Sequence, residues 1–80
     1  MRAVVNVYLK EGVLDSQGKA VHHALNSLSF EQVSDVRIGR QIVLKLESKS
    51  VESAEAEVKE MCESLLANTV IEDYDIKIES

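Results

Sequence analysis

Apolar and polar residues alternate along three stretches of the chain, and this is the pattern of strands that bury one face. In the first stretch, over residues 2–10, the shared apolar face consists of Ala3, Val5, Val7 and Leu9. The second stretch runs over residues 33–47 and contains a glycine that permits a tight turn. It therefore predicts two strands joined by a hairpin near Gly39 and Arg40. The third stretch, residues 71–79, predicts a fourth strand.

Two other stretches repeat their apolar residues at intervals of three and four, as amphipathic helices do. The first helix is expected to follow Asp15, a good N-cap, and its apolar positions are Ala20, Val21, Ala24, Leu25 and Leu28. The second helix is expected after caps offered by Ser48 to Ser50. Its apolar stripe is the clearest signal in the chain: Val51, Ala54, Val58, Met61, Cys62, Leu65 and Leu66.

The order β-α-β-β-α-β predicts one α+β domain over residues 1–80, a two-layer sandwich of the ferredoxin-like type. Both helices are expected on one face of a mainly antiparallel sheet. The other face would carry Val4, Tyr8 and Val43 among polar residues, which is suited to a second subunit. A chain of 80 residues buries a small core, and this also favours oligomerisation.

Charge excludes several classes of function. The net charge is −5, and nine scattered basic residues supply no patch for nucleic acid or for an anionic membrane. No run approaches the length of a membrane span, and the N-terminus alternates where a signal peptide would be continuously apolar. Cys62 is the only cysteine, so an internal disulfide and a CxxC site are excluded. A reduced, cytoplasmic setting is expected.

Two features are candidates for chemistry, and neither of them predicts a catalytic, cofactor-binding or metal-binding residue. His22 and His23 point about 100° apart on a helix and cannot converge on one metal ion, so a solvent or interface role is favoured. The segment around Gly12 and Gly18 has only fragments of a phosphate loop, and Asp15 would repel an anion. The cost of a glycine in a first helical turn suggests close approach by a neighbouring backbone at Gly18.

Three stretches of the sequence together resemble the PurS family, small subunits of phosphoribosylformylglycinamidine (FGAM) synthase. They are LKEGVLDSQGKAVHHAL, VSDVRIGRQIVLKLE and EMCESLLANTVIEDYDIKIE, and the resemblance covers essentially the whole chain. It implies a PurS-like fold and a role in purine biosynthesis, in the ATP- and glutamine-dependent amidation of formylglycinamide ribonucleotide. It also implies that this chain carries no catalytic residue and belongs to a ligase complex.

The resemblance further implies a homodimer or a dimer of dimers that joins a glutaminase subunit (PurQ) to a large synthetase subunit (PurL) and assists ammonia transfer. ATP, Mg and glutamine would be used by those partners, with no cofactor in this chain. Because loops with glycines and charges often recognise partners, the expected interface residues are Glu11, Gly12, Asp15, Gln17, Gly18, Asp35, Arg37, Gly39 and Arg40.

Three other classes share parts of this pattern. A regulatory module of the ACT type that binds a small metabolite fits the size, and it remains the alternative function. An RNA-recognition module would need aromatic residues on its sheet and a basic surface, and this chain offers Tyr8 on an acidic background. An acylphosphatase-like enzyme would need an arginine in the loop over residues 11–18, which has none.

Overall fold

Three strands and two helices make up the fold in the computed structural model, which describes residues 1–47 and 50–79. In chain order the elements are β1 (Arg2–Leu9), α1 (Ser16–Ser27), β2 (Gly39–Lys45), α2 (Val51–Met61) and β3 (Glu72–Glu79). A single π-helical turn over Cys62–Leu66 continues α2. Within the described residues, no helix has the length and apolar character required to cross a membrane.

The sheet has the order β2-β1-β3, and both pairings are antiparallel. In the register, Val5 of β1 lies between Ile42 of β2 and Ile76 of β3. Alternation therefore places the apolar set of β1 on one side of the sheet, where α2 covers it. The fully buried core side chains come from β1 and from α2 with its π turn: Ala3, Val5, Val7, Ala54, Val58 and Cys62. Burying each valine contributes roughly 1.5–3 kcal/mol.

Helix α2 begins as predicted, because the Ser50 side chain accepts a hydrogen bond from the Ser53 amide at 3.1 Å. The other predicted cap, Ser48, lies outside the described residues. The π turn changes the end of the apolar stripe: the Ala67 amide donates to the carbonyl of Cys62 at 3.1 Å. One residue is thereby added to the turn. Side chains within the turn depart from the α-helical period, and Leu65, which belongs to the turn, is 83% exposed where the sequence predicted burial.

The α+β class and the antiparallel sheet are confirmed, but two details of the predicted architecture were wrong. Residues 33–38 form no strand, and the predicted hairpin is absent because β2 begins at Gly39. Helix α1 does not pack on the sheet, so only α2 lies on its face. The described part of the molecule is accordingly long and thin, with principal extents of 50 × 26 × 14 Å.

Helix α1 ends in a Schellman motif, in which the Ser29 amide donates to Asn26 and the Phe30 amide donates to Leu25. Ser29 occupies the left-handed position of this motif, with φ 74°, where glycine is usual. The motif satisfies carbonyls of the last turn and directs the chain back along the helix toward residues 33–38.

Candidate partner interface

Asp15 is the centre of the corner between β1 and α1. Its carboxylate accepts from the Gly18 amide at 2.8 Å, which caps the helix, and from the Ile38 amide at 2.7 Å. These hydrogen bonds, that from Ile38 first and that from Gly18 next, lower the pKa of Asp15 because they favour the charged form. The residue is buried, with 6% of its surface exposed. The predicted cap is confirmed, and the bond to Ile38 gives it a second, long-range role.

Gly18 lies where two backbones approach closely. A Cβ built on it would stand 2.3 Å from the Val36 carbonyl oxygen, so no larger residue fits without movement of the chain. The close neighbouring backbone predicted for this glycine is therefore residues 33–38 of the same chain. The Arg37 guanidinium closes the other side by donating to the carbonyls of Val13 at 3.1 Å and Lys10 at 3.2 Å.

His22 makes a third connection between α1 and the same segment. Its Nε2 lies 2.7 Å from the Val33 carbonyl oxygen, to which the ring donates. As the contacting position advances along α1 from 15 to 18 to 22, its partner moves back from 38 to 36 to 33. The segment over residues 33–38 therefore runs antiparallel to the helix. We call α1 together with residues 33–38 the arm. A solvent or interface role was favoured for His22, and its carbonyl partner on residues 33–38 was not predictable from the sequence.

Within the described residues, the apolar stripe of α1 is left largely uncovered. Val21 is 40% exposed and Leu28 is 68% exposed, while Leu25 is half-buried. Leu14 and Phe30, at the two ends of the helix, are also exposed. An amphipathic helix in water is stabilised mostly by burial of its apolar face. The arm therefore presents a surface suited to another protein chain.

A second apolar surface lies beside α2. It is an open groove of about 680 Å³ between the edge strand β2 and the π turn. Leu44, Met61, Leu65 and Leu66 supply its apolar lining, and Glu57 and Glu60 also line it. We call it the groove. The π turn contributes directly to it, because the added residue directs Leu65 outward. The sequence stripe alone placed Leu65 in the core and did not predict the groove.

Arg40 is held by a polar cluster at the end of the sheet, which was not predicted. Its guanidinium donates to Glu72 at 2.6 Å and to the Leu66 carbonyl at 2.6 Å. The Asn68 amide donates to the same carboxylate at 2.7 Å. The bonds from Arg40 first, and from Asn68 next, lower the pKa of Glu72. The cluster fixes the chain leaving the π turn against β2 and β3, and so supports one wall of the groove.

The remaining predicted interface residues lie around the corner without forming one site. Glu11 and Gly12 are exposed in a turn, where φ at Gly12 is 87°. Gln17 and Asp35 are exposed near Asp15. Gly39 is exposed, but a Cβ on it would stand 2.8 Å from the Val7 carbonyl, so it is required for close strand pairing. Within the corner, Asp15, Gly18 and Arg37 connect parts of this chain, and contact with a partner stays a prediction for the whole set.

Outside the corner and the polar cluster, the local environment raises the pKa of two further groups, Cys62 and Tyr74. Burial raises the pKa of the Cys62 thiol, which keeps it protonated and unreactive at neutral pH. The Tyr74 hydroxyl donates to Glu63 at 2.6 Å, and this bond raises the pKa of Tyr74 to about 12. In the described part of the chain, no three histidine, cysteine, aspartate or glutamate side chains are grouped as metal ligands.

Comparison with known proteins identifies the family. The family model described as "PurS: Phosphoribosylformylglycinamidine (FGAM) synthase" matches residues 2–80. The chain belongs to the PurS family. The PurS subunit of Bacillus subtilis is 57% identical over 75 residues, which are 94% of this chain and 88% of that protein. The PurS subunit of Methanocaldococcus jannaschii is 44% identical over 78 residues, 98% of this chain and 94% of the relative. The resemblance stated from the sequence is thus confirmed.

Solved structures of PurS proteins have the same fold. A B. subtilis PurS structure matches with a TM-score of 0.88 and 53% identity, covering 99% of this chain and 98% of that one. A chain from the structure of PurLQS from Thermotoga maritima matches with a TM-score of 0.87 and 30% identity, covering 95% and 93%. The long shape with an extended arm is therefore compatible with the solved PurS chains.

Proposed function

We propose that this PurS-family chain is the non-catalytic subunit that joins the glutaminase and the large synthetase of FGAM synthase and assists ammonia transfer between them. The PurLQS structure to which a T. maritima relative belongs supports association with the larger subunits. The observation that carries the proposal is the arm, because the described part of the chain leaves the apolar side of its helix exposed. An exposed apolar surface of this kind is suited to contact with another protein chain.

Ammonia transfer gives a physical reason for such a subunit. Ammonia is mostly protonated in neutral water, and the ammonium ion is not a nucleophile. A closed passage that excludes water preserves the reactive form, as closure of an active site suppresses side reactions. A small rigid subunit can hold the two larger proteins in the geometry that such a passage requires.

Reconstitution with the PurL and PurQ subunits of the same organism tests this role. FGAM formation is measured with glutamine and, separately, with ammonium chloride as the nitrogen source, with and without this chain. We expect omission of the chain to abolish the glutamine-dependent rate and to leave the ammonia-dependent rate nearly unchanged. Equal glutamine-dependent rates with and without the chain would refute the proposal.

The chain acts in this role as a homodimer in which the arm of one copy covers the groove of the other. The arm offers an apolar helix, the groove offers an apolar concave surface, and both are open in the single chain. When both copies exchange arms, the dimer contains two arm–groove contacts, because a two-fold axis repeats every contact. The arm and the groove of each copy are then buried. The short chain also gains a larger shared core.

A matched pair of substitutions tests the dimer. Leu65→Asp introduces a charge into the groove, whereas Val70→Asp changes a residue that is similarly exposed (80% against 83%) but lies outside the groove. Sedimentation equilibrium is expected to give a monomer for Leu65→Asp and a dimer for Val70→Asp. A Leu65→Asp protein that keeps the wild-type mass would overturn this arrangement.

A further inference from the structure

The arm is joined to the rest of the molecule at its base, and its helix α1 does not pack on the sheet. The chain enters the arm at Asp15, directly before α1, and leaves it at Ile38, directly before β2. The Asp15 carboxylate accepts from the Ile38 amide at 2.7 Å, so the entry and the exit lie side by side. Two attachments this close together define an axis about which the arm can turn, and they do not by themselves fix its direction.

The space between the base of the arm and the end of the sheet is not filled by side chains. A cleft of about 230 Å³ lies there, and Gln17 of α1 lines it together with Arg40 and Glu72 of the sheet. Gly12 belongs to the loop over residues 10–14 that leads into the arm, and its φ is 87°. Apart from its chain neighbours, no heavy atom lies within 4 Å of the place where a Cβ would stand on Gly12. Close packing is therefore not what holds the arm in its direction.

Arg37 connects the arm to the loop over residues 10–14 at a third position. Its guanidinium donates to the carbonyl of Val13 at 3.1 Å and to that of Lys10 at 3.2 Å. Lys10 is in turn tied to the sheet, because its amide donates at 2.9 Å to the carbonyl of Ile71, directly before β3. A guanidinium is planar and always charged, so its two hydrogen bonds hold both carbonyls in one orientation.

We infer that Arg37 is a positioning residue that fixes the direction of the arm relative to the sheet. Two adjacent attachments leave rotation about their axis free, and the third connection removes that freedom. Without it the arm samples several directions, and only a fraction of the molecules presents the arm correctly to a partner chain. This consequence for partner binding rests on the proposed function. Arg37 was expected from the sequence to contact a partner, but in this role it acts through the arm.

The distance between α1 and α2 measures the direction of the arm. Asn26 of α1 and Glu55 of α2 are exposed, and each is replaced by cysteine and spin-labelled, whereas Cys62 is buried and stays in place. Double electron–electron resonance then gives the distribution of distances between the two labels. An excess of unlabelled chain excludes label pairs between copies. The Leu65→Asp background removes the proposed seating of the arm in the groove, so the width of the distribution reports the base of the arm alone.

Arg37→Ala is expected to broaden this distribution, because it removes both hydrogen bonds to the loop. Arg37→Lys retains the charge but loses the planar pair of donors, and an intermediate width is expected. The matched control is Lys59→Ala, which removes an exposed positive charge from α2 and is expected to leave the width unchanged. Equal widths for the wild type and Arg37→Ala would overturn the inference. Circular dichroism verifies that α1 stays helical, and if Arg37→Ala loses the helix, the comparison of the wild type with Arg37→Lys decides in the same way.

The glutamine-dependent assay of the reconstituted complex gives a second readout, with Arg37→Ala in the otherwise wild-type chain. If about one tenth of the molecules hold the arm in the correct direction, the concentration of this chain that gives half the maximal rate rises about tenfold, and saturation with the chain restores the maximal rate. Lys59→Ala is expected to match the wild type. A raised half-saturating concentration without a broader distance distribution would overturn the inference and would indicate direct contact of Arg37 with a partner. If the glutamine-dependent rate does not require the chain, the proposed function fails, whereas the distance distribution still tests the role of Arg37.

Discussion

Substitution of Gly18 by alanine separates the effect of helix propensity from the effect of the close backbone approach. Gly18 lies in the first turn of α1, where alanine would ordinarily stabilise a helix by up to about 1 kcal/mol. The structure predicts the opposite sign. The added Cβ would stand 2.3 Å from the Val36 carbonyl oxygen and 2.8 Å from an oxygen of the Asp15 carboxylate.

The size of the loss follows from these distances. Ordinary van der Waals contact begins at 3.4 Å, so the Val36 carbonyl must retreat by about 1 Å. Since Ile38 is two residues further on, this movement also disturbs its hydrogen bond to Asp15. Overpacking of this kind costs about 1–3 kcal/mol, and the gain in propensity offsets part of it. We expect a net destabilisation of about 1–2 kcal/mol.

Urea unfolding followed by circular dichroism at a fixed protomer concentration measures the change, because the stability of an oligomer depends on concentration. The control is Gln17→Ala, an exposed position in the same turn, which is expected to change the free energy of unfolding by less than about 0.5 kcal/mol. A Gly18→Ala protein that is more stable than wild type would show that propensity dominates and that residues 33–38 yield freely.

Two further measurements test other local features. Ser29→Gly is expected to raise the free energy of unfolding by about 0.5–1 kcal/mol, because glycine adopts the left-handed conformation of this residue without a Cβ penalty. Ser27→Gly, inside the helix, is the control and is expected to lower the free energy of unfolding by a similar amount. Urea unfolding measures both changes, and a loss of stability in both variants would contradict this account. The raised pKa of Tyr74, about 12, means that its bond to Glu63 stabilises the fold below about pH 10 and that this contribution is lost as the pH rises through about 12. In a Tyr8→Phe protein, titration of tyrosinate absorbance is expected to give a pKa of about 12 for Tyr74. Addition of Glu63→Gln is expected to lower this pKa, and an unchanged pKa would exclude the hydrogen bond as the cause.

The features that were predictable from the sequence are those that depend on contacts between parts of the same chain. The alternation in β1 and the stripe of α2 correctly placed Val5, Val7, Ala54 and Val58 in the core, because these faces are buried by their own neighbours. Asp15 was predictable as a cap because capping is a local interaction. The glycine at position 18 correctly indicated a close neighbouring backbone.

The features that were not predictable depend on distant residues or on surfaces still open in the single chain. An apolar stripe indicates that one face of a helix is buried, but it does not indicate whether the same chain or another chain covers that face. For this reason α1 was wrongly placed on the sheet. Residues 33–38 have the composition of a strand but lie along α1. The π turn has no period of its own in the sequence, so the outward position of Leu65 could not be inferred.

The position of β1 at the centre of the sheet has a consequence for synthesis on the ribosome. β1 is made first, yet one of its two neighbours, β3, pairs with it across a separation of up to 77 residues. Pairing over so long a stretch of chain is slow, whereas contacts within the arm are local. The arm can therefore form while one edge of β1 still lacks its neighbour. During that interval β1 exposes an apolar strand with an unpaired edge, and the nascent chain is at its most vulnerable to aggregation.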